Sequence, residues 1–142
     1  MWQANFHTTT DVPAEDLYRA LTDFNAWNQW DDGIEYTELV GDAKTGSEFI
    51  LKPKGGPAVK IVIEKMWPFE VIDIAYLPLA KMRTIHRYER VGNVTHIYME
   101  LQIWGPLSFL WRKIIGENQI KDAEIQTNAL IDYAREECAH II

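Results

Sequence analysis

From Leu107 to Cys138 the chain places apolar residues three and four apart: Leu107, Leu110, Trp111 and Ile114, then Ile120, Ala123, Thr127, Leu130, Ile131, Ala134 and Cys138. That period predicts one face of a long helix, with Gly116 as a bend or interruption. A helix this long has to bury its stripe against a wide surface. The segment before it supplies one. Short extended runs at about 34–40, 47–53, 58–66, 69–76, 81–91 and 94–104 are separated by turn signals at Gly41-Asp42, Lys44-Thr45-Gly46, Lys54-Gly55-Gly56-Pro57 and Gly92-Asn93. Trp2, Ala4 and Phe6 alternate with polar neighbours and predict a first strand to about Thr9. The expected architecture is α+β: a curved antiparallel sheet of six or seven strands around a long C-terminal helix.

Between strand one and the meander the pattern is helical. Thr10 and Asp11 offer caps, Pro13 suits a first turn, and Leu17, Ala20 and Leu21 share a face. Asp23 is a candidate cap for a second short helix, Phe24 to Trp30, carrying Trp27 and Trp30. The strand from Thr95 to Trp104 alternates most clearly. Ile97, Met99, Leu101 and Ile103 point one way, and His96, Tyr98, Glu100 and Gln102 the other.

Charge and cysteine content narrow the partners. With 14 basic and 21 acidic residues among 142, the net charge of −7 opposes nucleic acid and anionic lipid surfaces. A single cysteine, Cys138, gives neither a disulfide nor a cysteine metal site. No stretch reads as a signal peptide, and the run Val71 to Ala80 is interrupted by Asp73 and Pro78, well short of a membrane span. The expectation is one domain over residues 1–142, cytoplasmic, as a monomer or homodimer.

Several runs carry a resemblance: Val12-Pro13-Ala14-Glu15-Asp16-Leu17-Tyr18, Leu21-Thr22-Asp23-Phe24 followed by Trp27 and Trp30, the pair Gly41 and Gly46 before a strand, His86-Arg87-Tyr88-Glu89, and Gly105-Pro106-Leu107 before the final helix. With the order of elements, they make the whole chain resemble the START-like, helix-grip superfamily (SRPBCC), in its polyketide cyclase/dehydrase and lipid-transport branch. That resemblance implies a cavity between sheet and last helix, roofed by the short helices and hairpin loops. It does not settle activity, since members include lipid carriers, receptors, cyclases and chaperone co-activators.

On the strand through residues 81–91, Met82, Thr84, His86 and Tyr88 share a face, and apolar Met82 suggests that it points inward. A hydroxyl, an imidazole and a phenol would then line one wall, with Met99 from the next strand. Trp27, Trp30 and Trp111 are further wall candidates. Each has a bland alternative: His86 as a structural histidine, Tyr88 and the tryptophans as packing. Asp73, set in Val71-Ile72-Asp73-Ile74-Ala75, is either a surface residue or a buried carboxyl with a shifted pKa. Asp31, Asp32, Glu35, Glu38, Asp42 and Glu48 read as a solvated acidic rim. His7, His86, His96 and His140 lack metal spacing, and Ser47 and Ser108 lack a nucleophile elbow, so no metal, cofactor or covalent catalysis is indicated. Three functions follow. The first is binding of a hydrophobic or aromatic, lipid- or polyketide-like molecule. The second is a cofactor-free cyclase, aromatase or dehydratase using His86 and Tyr88 as acid and base, and the third is a protein-interaction module.

Overall fold

The computed structural model describes residues 1–141, and side chains as far as Glu137. Strand β1 (Trp2–Thr10) leads into α1 (Ala14–Thr22) and a 3-10 helix (Phe24–Gln29). Six strands follow in succession: β2 (Ile34–Glu38), β3 (Glu48–Pro53), β4 (Val59–Trp67), β5 (Glu70–Leu77), β6 (Ala80–Val91) and β7 (Val94–Trp104). The remainder is helical, as α2 (Ser108–Trp111), a π-turn (Arg112–Gly116), α3 (Glu117–Lys121) and α4 (Ala123–Ile141). All seven strands form one antiparallel sheet in the order β1-β7-β6-β5-β4-β3-β2. The alternation read in the sequence sets its two faces: Ile97, Met99, Leu101 and Ile103 are buried, while their neighbours keep partial exposure.

Helix α4 seats Ala123, Thr127, Leu130, Ile131 and Ala134 toward the core, as the spacing requires. Its closest packing partners are α1 and β1. The side chain of Cys138, read as the end of this stripe, lies beyond those described.

Two expectations need correction. The first half of the apolar stripe is wrong, because Leu110 and Ile114 are 40% and 50% exposed. Instead Trp111 turns to the β5–β6 turn, donating from Nε1 to the Pro78 carbonyl at 2.8 Å. Gly116 sits against β1 and β7 so tightly that a Cβ there would come within 2.6 Å of Trp2 and 2.8 Å of Ile103. Those two anchors lie five residues apart, which matches the i→i+5 repeat of a π-turn and not the 3.6 repeat assumed from sequence. The expected caps are also unused. Helix α1 begins after Pro13, whose carbonyl accepts from the amides of Asp16 and Leu17, and neither α1 nor the 3-10 helix has a side-chain cap. Thr10 Oγ1 accepts from Val12, and Asp11 reaches across to pair with Arg135 of α4.

Candidate functional site

Register across the sheet assembles the site. Asp73 on β5 stands opposite Thr84 on β6, which stands opposite Leu101 on β7. One row along, Val71 faces His86, which faces Met99. Met82, Thr84, His86 and Tyr88 therefore do share the concave face. Met82, Thr84 and Tyr88 are buried at 4–8% exposure and His86 is half-buried. Asp73 joins them at 5% exposure. The apolar surround consists of Ile63, Val71, Ala75, Met99 and Leu101.

Cross-strand neighbours have Cβ atoms about 5 Å apart and diagonal ones about 7–8 Å, so Asp73 lies within side-chain reach of both Thr84 and His86. Along β6, Thr84, His86 and Tyr88 recur about every 6.7 Å. The result is an apolar wall carrying a carboxyl, a hydroxyl, an imidazole and a phenol. None of the four makes a side-chain hydrogen bond among the described residues. They are also absent from the polar atoms sealed away without a partner, which are Trp30 Nε1, Arg112 Nε and Gln119 Oε1.

Burial sets their charge states. It pushes Asp73 up to about 7, holds His86 down to about 4 and raises the Tyr88 phenol. Near neutral pH the imidazole and the phenol are therefore uncharged, and Asp73 is held toward its protonated form. The sequence raised Asp73 only as a conditional; register, which a single sequence does not reveal, decides it.

The tryptophans do not converge on this group. Trp27 is buried, donates from Nε1 to the Leu21 carbonyl at 2.8 Å and packs on Phe24 and Phe49, with ring centroids 5.3 and 5.5 Å away. Trp30 is half-buried beside it, at 6.2 Å. Trp111 is fastened to Pro78 at the β5–β6 turn. Two open clefts flank the β5–β6 pair. One, of about 330 Å³, is lined by residues that include Leu79, Trp104 and Gly105. The other, of about 420 Å³, lies between Trp67–Glu70 and Arg87–Arg90, and Tyr88 belongs to both it and the concave wall. The acidic rim is exposed except for Asp31, which is half-buried and shifted up by that burial. No cluster of three or more histidine, cysteine, aspartate or glutamate side chains suited to a metal ion occurs among the described residues. No helix there is long and apolar enough to cross a membrane.

A family model described as polyketide cyclase/dehydrase and lipid transport matches residues 1–119. Similar solved structures include the Zhui aromatase/cyclase from Streptomyces, with a TM-score of 0.78 at 11% identity, covering 96% of this chain and 95% of that one. Ara h 8.0201 aligns with a TM-score of 0.75 at 13% identity over 95% of this chain and 98% of its own. A START superfamily protein from Mycobacterium smegmatis gives 0.71 at 15% identity, over 94% and 97%. At such identities the likeness is one of fold. No curated protein sequence matches the chain.

Proposed function

The chain belongs to the polyketide cyclase/dehydrase and lipid transport family, and from that premise we propose that it binds a hydrophobic or aromatic small molecule between the concave sheet face and α4. The observation that carries this reading is a set of polar groups, Asp73, Thr84, His86 and Tyr88, that have no side-chain partner among the described residues on an otherwise apolar wall. Buried polar groups are nearly always hydrogen-bonded, and leaving one unsatisfied costs about 1–3 kcal/mol. A ligand with polar atoms on an apolar frame would satisfy them. Met82 and Met99 add deformable apolar surface to the same wall. Tyr88 also lines the open cleft beside the β4–β5 turn.

A cofactor-free cyclase or dehydratase remains the second reading, with one change. A general acid–base works best with a pKa near the working pH. His86 is shifted away from neutrality, at about 4, while Asp73 sits at about 7. Asp73 is thus better placed than the His86–Tyr88 pair for proton transfer. Native mass spectrometry of freshly purified protein, followed by denaturation and identification of any released molecule, tests the binding reading. A stoichiometric apolar passenger supports it. An empty protein that takes up neither lipids, polycyclic aromatics nor apolar dyes sinks it and points to the protein-interaction alternative.

A further inference from the structure

Asp73 is the one carboxyl on the concave face among the described residues; the other acidic side chains of the central strands face the convex side. There Glu64 pairs with Arg83, Glu70 with Lys65 and Glu89 with Arg87. Every cation on β4 to β7 is engaged elsewhere too. Lys60 pairs with Glu48, and Lys81 lies over the Tyr76 ring at 5.1 Å. Arg90, at the far end of β6, donates to Thr95 and the Asp11 and Gly92 carbonyls. Asp73 therefore sits 95% buried, in a row between Ile63 and Thr84, with no cation among the described residues directed at it.

We propose that the molecule held on this wall is an apolar amine whose protonated nitrogen pairs with Asp73 and donates a second hydrogen bond to Thr84 Oγ1. The inference rests on the ligand-binding reading above and specifies its ligand class. A charge-assisted hydrogen bond is about twice as strong as a neutral one, and more so in a dry site. The unprotonated ring nitrogen of an uncharged His86 and the Tyr88 oxygen can accept further hydrogen bonds from a cation, while their N–H and O–H stay free to donate to a ligand oxygen. Ionising a carboxyl whose pKa is about 7 costs little near neutral pH, so a bound ammonium completes the pair without a large penalty. A chain ending in carboxylate meets the opposite situation, because it would face Asp73 with no cation among the described residues to receive it. The net charge of −7 also favours capture of cations from solution.

Three probes on one skeleton test this: naphthylmethylamine, naphthalenemethanol and naphthoic acid, titrated by calorimetry at pH 7.5 alongside an apolar fluorescent dye. The expected result is amine binding at least about tenfold tighter than alcohol, with the acid weakest. Asp73→Asn, checked for folding by circular dichroism, should bring the amine down to the level of the alcohol. Glu64→Gln, which removes an acid from the convex face, should keep the preference. Equal binding of amine and alcohol, or an amine preference that survives in Asp73→Asn, overturns the inference while leaving ligand binding intact. So does dye binding without amine binding. Failure of all four probes overturns both.

Discussion

Strands β4 to β7 present two faces made from alternate residues of the same chain segments, and the faces treat polar groups oppositely. On the convex side Arg83 donates to Glu64 and Gln102 and stacks over Trp104 at 4.9 Å, Arg87 lies 4.2 Å over Tyr98, and Lys65 covers Trp67 at 4.8 Å. His7 and His96 share a hydrogen bond at 3.0 Å and stack with Tyr98. Solvent would have satisfied most of these groups, yet they are paired. On the concave side, where Asp73, Thr84 and Tyr88 are buried and His86 is half-buried, none of the four has a side-chain partner among the described residues. Stability alone would select the reverse arrangement. The difference is the one that the proposed binding surface requires.

The largest effect that could break this comparison comes from removing the concave carboxyl. The gap between 3.8 and about 7 for Asp73 corresponds to as much as about 4 kcal/mol at about 1.4 kcal/mol per tenfold step. Asp73→Leu should therefore stabilise the unliganded protein at pH 8 by an amount approaching that figure, read from urea unfolding. A loss of stability would mean that the carboxyl already has a partner in the fold.

The pH dependence of stability sharpens the same point, since the concave pair pull in opposite directions. The folded pKa of Asp73 lies above the unfolded value, so its share of stability is complete below about pH 4 and is lost as pH rises toward 7. For His86 the folded pKa of about 4 lies below 6.5, so stability grows as pH rises from 4 to 6.5. Among the described residues, Tyr88 also faces this wall and stays protonated throughout, while α1 and α4 present Leu17, Leu21, Thr127, Leu130, Ile131 and Ala134 inward. The two slopes nearly cancel in the wild type. Asp73→Asn should expose a rise of up to about 1.4 kcal/mol per pH unit between pH 4 and 6.5, and His86→Gln a fall of similar size. Parallel curves for all three proteins would place both groups in water.

Much of this was readable from sequence because it depends on period. Alternation gave the strands and their faces, including the inward set Met82, Thr84, His86 and Tyr88. Spacing of three and four gave the inward residues of α4. What failed depends on contacts between distant segments. The phase of the helix before Gly116 is set by Trp111 reaching Pro78 and by Trp2 crossing Gly116, neither of which leaves a local trace. Asp73 was undecidable for the same reason, because Val71-Ile72-Asp73-Ile74-Ala75 is apolar on both faces and its phase comes from pairing with Thr84. Gly116→Ala tests the helix seat directly. The added methyl should cost about 1–3 kcal/mol as overpacking, and an unchanged stability would show that the π-turn is not fixed by this contact.

The smallest effect belongs to the convex face, and its smallness is the content of the prediction. Arg83 has partners on two other strands, with Glu64 at 2.9 Å and Gln102 at 2.9 Å, but the ion pair is 29% and 41% exposed. Pairs in that setting contribute between nothing and about 1 kcal/mol, because water competes and side-chain entropy is lost. Arg83→Ala should lower stability by less than about 1 kcal/mol in urea unfolding and leave binding of an apolar dye unchanged. If it instead destabilised the protein by more than Asp73→Leu stabilises it, the convex network would be holding the sheet in shape. The concave groups would then be unpaired because the fold tolerates them, and the contrast between the faces would lose its functional meaning.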